Sequence, residues 1–156
     1  DNPNGAITVP VNLAGEVGLI VVERPGFKPG APQTFPELNF STLGAPSLEV
    51  PRGSPRKGET SRQAAVRETD EELNSPVRSV EMIGEITPNT RFNPHRLSVW
   101  RAVVDHRFAG EMPPDVNERI LKVEWHPPDA VRAKVRNREI RCAMTLSALA
   151  LHWVNS

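Results

Sequence analysis

Glu68, Glu71 and Glu72 are the residues whose type and spacing could most directly do chemistry. On a helix, positions 68 and 72 stand one turn apart and 71 lies beside them, so three carboxylates gather on one face. Like charges so placed repel unless a cation neutralises them, and hard oxygen donors suit Mg²⁺ or Mn²⁺. A solvated acidic helix face is the plain alternative for a Glu-Glu pair taken alone. Upstream, Gly53, Glu59 and Arg67 precede the cluster at intervals of six and eight positions.

That pattern resembles the Nudix box: Gly, five residues, Glu, seven residues, Arg-Glu, a variable pair, Glu-Glu and a closing Gly. Gly53, Glu59, Arg67, Glu68, Glu71 and Glu72 all fall in place. Six such matches have a chance on the order of one in ten million per register. Two positions depart. The closing Gly is Asn74, the next most tolerant residue for a helix end that needs positive φ. Apolar positions nearby hold Thr69 and Ser75. No carboxylate is lost.

The resemblance implies metal-dependent hydrolysis of a diphosphate. Glu68 and Glu72 would be the chief ligands, with Glu71 assisting or holding a metal-bound water, and with the carbonyl of Arg52 as a further ligand. Gly53, Glu59 and Arg67 would be structural support, Arg67 pairing with Glu59 to pin residues 53–58 against the helix. Glu118 is the first candidate for general base, with Asp115, Glu111 and Glu71 as alternatives. Arg24 and Arg52 are candidate substrate contacts.

Leu48-Glu49-Val50-Pro51-Arg52-Gly53 is similar to the Glu-x-Pro-Arg-Gly segment of ADP-ribose and sugar-nucleotide pyrophosphatases. Arg96 to Val99 and Asn137 to Leu149 fit the same branch. The expected substrate is therefore a small nucleotide, ADP-ribose or a sugar nucleotide. Two other readings stay open: sanitation of nucleoside triphosphates, and a non-catalytic Nudix-like domain that binds a nucleotide. Members of this branch carry an N-terminal β domain that completes a homodimer. Five residues precede the first strand here, so either that extension is absent or the natural N-terminus is longer, and the dimer is left open. Isomerases of the same fold need a catalytic cysteine, and Cys142 falls at the start of the last helix.

Composition narrows the partners. The 156 residues carry 19 basic and 19 acidic side chains, and the pI is near 7.1. Bulk electrostatics therefore favour neither nucleic acid nor a membrane surface. A single cysteine forbids an internal disulfide and points to a reducing, cytoplasmic setting. The apolar runs are too short to span a bilayer, and no signal peptide is visible. His95, His106, His126 and His152 lack metal-ligand spacing and read as surface or partly buried structural residues.

The elements that must position the acids follow from periodicity and punctuation. Strands are predicted at Ala6–Val11 and Val17–Arg24, joined by a hairpin. A long Pro-rich loop at 25–46 leads to a short strand at Ser47–Val50. Thr60 or Ser61 can cap a helix running to about Leu73, which Pro76 prevents from continuing. Further strands are expected at 80–86, 97–104 and 120–125, with polar loops at 87–95 and 107–117. A short helix should open at Pro127-Pro128-Asp129 and reach about Lys134. A last helix over 142–154 should bury Met144, Leu146, Leu149 and Trp153. The expectation is a single domain over 1–156 of the α/β class: an α/β/α sandwich around a mixed sheet.

Overall fold

The computed structural model describes residues 3–23, 46–91, 94–105, 109–111 and 119–156. Its strands are β1 (Gly5–Val11), β2 (Val17–Glu23), β3 (Ser47–Glu49), β4 (Arg52–Gly53), β5 (Val77–Ile86), β6 (Leu97–Val104), β7 (Gly110–Glu111) and β8 (Arg119–His126). The helices are α1 (Ser61–Leu73), α2 (Pro128–Arg136) and α3 (Ala143–Val154). One mixed sheet runs β5-β6-β1-β2-β8-β7, with β3 on β2 and β4 on β1. β1 and β6 are parallel, and the other pairs are antiparallel.

Strand alternation assigns the two faces. Ile7, Val9, Val17, Leu19 and Val99 pack with Ala148 and Leu149 of α3 and with Val131 of α2. On the opposite face, Ala6 and Trp100 meet Ala64 and Ala65 of α1, while Ile20, Val22, Ala102 and Val104 meet Leu73. Odd and even positions of β1 thus serve different helices, as a period of two requires. The result is the expected α/β/α sandwich.

β1 and β2 leave their shared hairpin and separate. Asn12 closes the turn, its Oδ1 accepting the N–H groups of Ala14 and Glu16. The strands pair only at Val11 and Val17. Beyond that point β3 bonds to β2 over 20–22, and β4 bonds to β1 at Ala6 and Ile7. Residues 47–53 therefore form a wedge in a forked sheet. Thr8 N–H donates to Pro51 O and Asn12 N–H to Glu16 O on this side of β1. By the period of two, position 10 faces the gap between them. Proline has no N–H to leave unpaired there, which explains its place in a central strand.

α1 starts where a cap was expected. Thr60 accepts the Gln63 N–H and Gln63 Oε1 accepts the Thr60 N–H, a reciprocal capping box. At the far end Asn74 adopts φ 49 and ψ 40, the left-handed conformation its place in the pattern calls for. Asp70 then takes the Val77 N–H at 2.7 Å, tying the end of the helix to β5.

Several boundaries differ from expectation. β5 begins at Val77 rather than 80, and α2 runs on to Arg136. β7 lies within the segment expected to be wholly loop, anchored by pairing with Val123 and Lys122. α3 turns Thr145, Ala148, Leu149 and His152 inward, while Met144, Leu146 and Trp153 are only partly covered. Thr145 can face the core because its hydroxyl accepts the Val50 N–H at 3.2 Å. The Pro-rich 25–46 segment lies outside the described residues, except for Pro46.

Candidate active site

β4 and α1 build the site together. Ala64 and Ala65 let α1 approach β1 closely, which brings the inner side of the helix onto Arg52 and Gly53. Glu72 is 4% exposed, and its Oε2 accepts the Arg52 backbone N–H at 3.1 Å. Glu68, 16% exposed in its side chain, sits against Gly53. A Cβ at position 53 would fall 2.0 Å from its carboxyl group. The two-residue strand thus receives both carboxylates of the i, i+4 pair.

Glu71 stands further out, its side chain half exposed. Arg56 reaches it at 3.3 Å and Arg67 at 3.2 Å. Arg67 is the hub of the ion pairs. Its Nε and Nη2 each donate to Glu59 at 2.9 Å, Nη1 reaches Glu68 at 2.7 Å, and Nη2 also meets Ser54 O. The guanidinium and the Arg56 N–H hold the Glu59 carboxyl down at about 2. Glu59 in turn raises the pKa of Arg67, as does Glu68. The expected Arg67–Glu59 pair is present, and it ties residues 54–59 to α1.

Arg52 uses its side chain elsewhere. One terminal nitrogen pairs with Glu49 at 3.1 Å, and the other lies 3.4 Å from both Cys142 Sγ and Met144 Sδ at the start of α3. Glu49 is buried, and the sequence presented it only within the Leu48–Gly53 segment, with no role attached. Its signal was its place in the Glu-x-Pro-Arg-Gly likeness, an acid three residues before Arg52 in a proline-bounded strand. Arg24, Glu118 and Asp115 lie outside the described residues, as does the side chain of Glu111.

The donor chemistry suits a divalent cation: carboxylate oxygens from Glu68, Glu71 and Glu72, with a backbone carbonyl one residue before Gly53. Among the described residues no three His, Cys, Asp or Glu side chains are gathered in a metal-holding arrangement. Arg67 engages two of the three acids instead. Beside them, Arg62, Gln63, Val66, Arg67, Asp70 and Glu71 line an open cleft of about 530 Å³. The described histidines make no hydrogen bond or ion pair with Glu68, Glu71 or Glu72. His95 is exposed, His126 bonds Glu124, His152 is buried under α3, and His106 lies outside the described residues.

The NUDIX domain family matches residues 3–144. The chain belongs to the Nudix family. Its reaction class is accordingly that of a Nudix pyrophosphatase, the hydrolytic opening of a diphosphate linkage. A solved structure described as an ADP compounds hydrolase superposes with a TM-score of 0.69 at 18% identity, over 99% of this chain and 74% of that one. At that identity the likeness establishes the fold. No curated protein matches the chain. No helix among the described residues of this Nudix protein is long and apolar enough to cross a membrane.

Proposed function

We propose that this Nudix domain hydrolyses a nucleoside diphosphate derivative, ADP-ribose or a sugar nucleotide, using Mg²⁺ or Mn²⁺. The observation that carries the reading is the seating of Glu68 and Glu72 together on Arg52 and Gly53. Glu68, Glu72 and the Arg52 carbonyl would hold the metal, with Glu71 beside them. When bound, the ion neutralises phosphate oxygens and makes water a better nucleophile. The oxygen of water bonds to one phosphorus while the bridging oxygen leaves with the other. The water's proton passes to a base, Glu118 or the half-exposed Glu71, and a second proton equivalent is released to solvent. The products are a nucleoside monophosphate and a phosphorylated remainder.

Support for the substrate comes from the Leu48–Gly53 segment and from the ADP compounds hydrolase that shares the fold. Arg24 and the loop carrying Glu118 are the proposed contacts outside the carboxylate cluster. Arg67, Glu59 and Gly53 are proposed to hold the acids in place rather than to touch substrate. The chain is read as one catalytic domain acting on a small molecule in the cytoplasm.

The test is a panel of ADP-ribose, sugar nucleotides and nucleoside triphosphates with Mg²⁺ and Mn²⁺, run beside Glu72→Gln. Turnover of the first two groups, lost by a factor of about a hundred or more in the variant, is expected. Preference for triphosphates would move the substrate to the sanitation class. Nucleotide binding with no turnover of any substrate would leave a regulatory binding domain.

A further inference from the structure

We propose that the Glu49–Arg52 ion pair, buried at its carboxylate and partly covered at its guanidinium, is a positioning device for Glu72. It acts through the backbone of Arg52 and not through contact with substrate. The inference rests on the reading of Glu72 as a metal ligand, and it assigns a role to Glu49 that the carboxylate pattern does not contain.

The geometry is a chain of three links. Glu49 ends β3, and its side chain is 5% exposed. It meets the Arg52 guanidinium at 3.1 Å, across the Val50-Pro51 step where the wedge passes from β2 to β1. The Arg52 N–H then points to Glu72 Oε2 at 3.1 Å. Cys142 and Met144, which receive the other terminal nitrogen, belong to the α3 side of the sheet, whereas Glu72 belongs to α1. Arg52 therefore anchors its side chain toward one layer and offers its amide to the other.

Electrostatics explains why this matters. Desolvating an ion pair is expensive, and such pairs are weak evidence for stability, so fixing geometry is a stronger reason for one here. β4 is only two residues long, with Ala6 and Ile7 as its ladder partners. Beyond that short ladder, the 51–52 peptide is oriented by the Thr8 N–H bond to Pro51 O and by restraints on Arg52 itself. The guanidinium, bracketed by Glu49 and two sulfur atoms, supplies one. A ligand carboxylate oriented by a hydrogen bond on one oxygen keeps the other oxygen directed, the usual role of groups just outside a metal's own ligands.

Glu49→Gln, Arg52→Met, Arg52→Lys and the double variant Glu49→Gln/Arg52→Met are compared with Glu72→Gln. Three quantities are read: Mn²⁺ affinity of the substrate-free protein by electron paramagnetic resonance, kcat and KM with the preferred substrate, and thermal unfolding. Glu49→Gln and Arg52→Met should each weaken Mn²⁺ binding and lower kcat by about ten- to a hundredfold, with KM changed by less than about threefold. Arg52→Lys should recover part of both losses. The double variant should be no worse than the worse single one, as expected of residues acting as a unit. If Arg52 instead gripped substrate, Glu49→Gln would release it and leave Mn²⁺ affinity unchanged. Folded Glu49→Gln with wild-type Mn²⁺ affinity and kcat overturns the proposal. Wild-type Mn²⁺ affinity in Glu72→Gln would overturn the metal reading itself, and the positioning role with it.

Discussion

Gly53 and Glu68 share one small volume: a Cβ on the glycine would lie 2.0 Å from the glutamate's Cδ and Oε1. Gly53 is laddered to Ala6, so the end of the Glu68 side chain must give way, losing its bond to Arg67. Gly53→Ala should therefore displace the carboxylate or prise β4 from β1. A stability loss of about 1–3 kcal/mol is expected, with kcat reduced by roughly a hundredfold. Chemical denaturation and steady-state kinetics check both. Near-wild-type activity in the alanine variant would show that Glu68 need not sit where it does.

Arg67 joins Glu59, Glu68, Glu71 and Ser54 O, so its removal releases the 54–59 segment and two candidate ligands at once. Arg67→Ala should cut kcat by about ten- to a hundredfold and lower Tm. Arg67→Lys cannot reproduce the forked contacts and should regain only a minor part of the loss. Full activity in the lysine variant would be incompatible with the fork being needed.

Asn74 holds the left-handed position that ends α1. Asn74→Gly should leave stability within about 0.5 kcal/mol of wild type, whereas Asn74→Val should cost about 1–2 kcal/mol, because a branched Cβ clashes at positive φ. Denaturation midpoints measure the difference. Equal costs for the two variants would refute a conformational origin.

His152 is 9% exposed, and its Nδ1 has no hydrogen-bond partner among the described residues. Burial lowers its pKa below 6.5, and Arg101 on β6 and Arg132 on α2 push the same way. Each cation also faces an acid, Arg101 pairing with Glu81 of β5 and Arg132 with Asp129. The folded state thus takes up its proton at lower pH than the unfolded chain. Stability contributed by neutral His152 is complete above about 6.5 and declines as pH falls from there through the folded pKa. Urea midpoints at pH 7.5 and 5.5 should separate in the wild type and draw together in His152→Leu. An unchanged pH slope in that variant would assign the effect to other groups.

Chelation offers a separate check on the ion. EDTA should abolish turnover and leave α1 folded, because its capping box, Ala64, Ala65 and Leu73 do not depend on the acids. Circular dichroism with and without the chelator distinguishes loss of the ion from loss of the helix.

Much of this was legible in the chain because the signals are local. Thr60, Asn74 and Pro76 bound α1, and the spacing of Glu68 and Glu72 fixes their common side once the helix exists. Runs of β-forming residues over 6–11 and 97–104 marked strands. What escaped depends on distant partners. β4 and β7 have two residues each, too few to show a period, and exist through pairing with β1 and β8. Thr145 faces inward because Val50, 95 residues away, supplies a donor. Glu49 stood in the Glu-x-Pro-Arg-Gly likeness with no role attached until the fold paired it with the Arg52 guanidinium.

The forked sheet has a consequence for local opening. Pro51 O takes the Thr8 N–H, and this bond lies beside the ladder that holds β4. A fluctuation that lifted the wedge from β1 would part Arg52 and Gly53 from Glu72 and Glu68 while the parallel β1–β6 ladder stayed closed. Catalytic competence then has its own opening free energy, smaller than that of global unfolding. The Thr8 amide is its reporter: its hydrogen exchange should be faster than that of Val9, whose ladder lies on the β6 side.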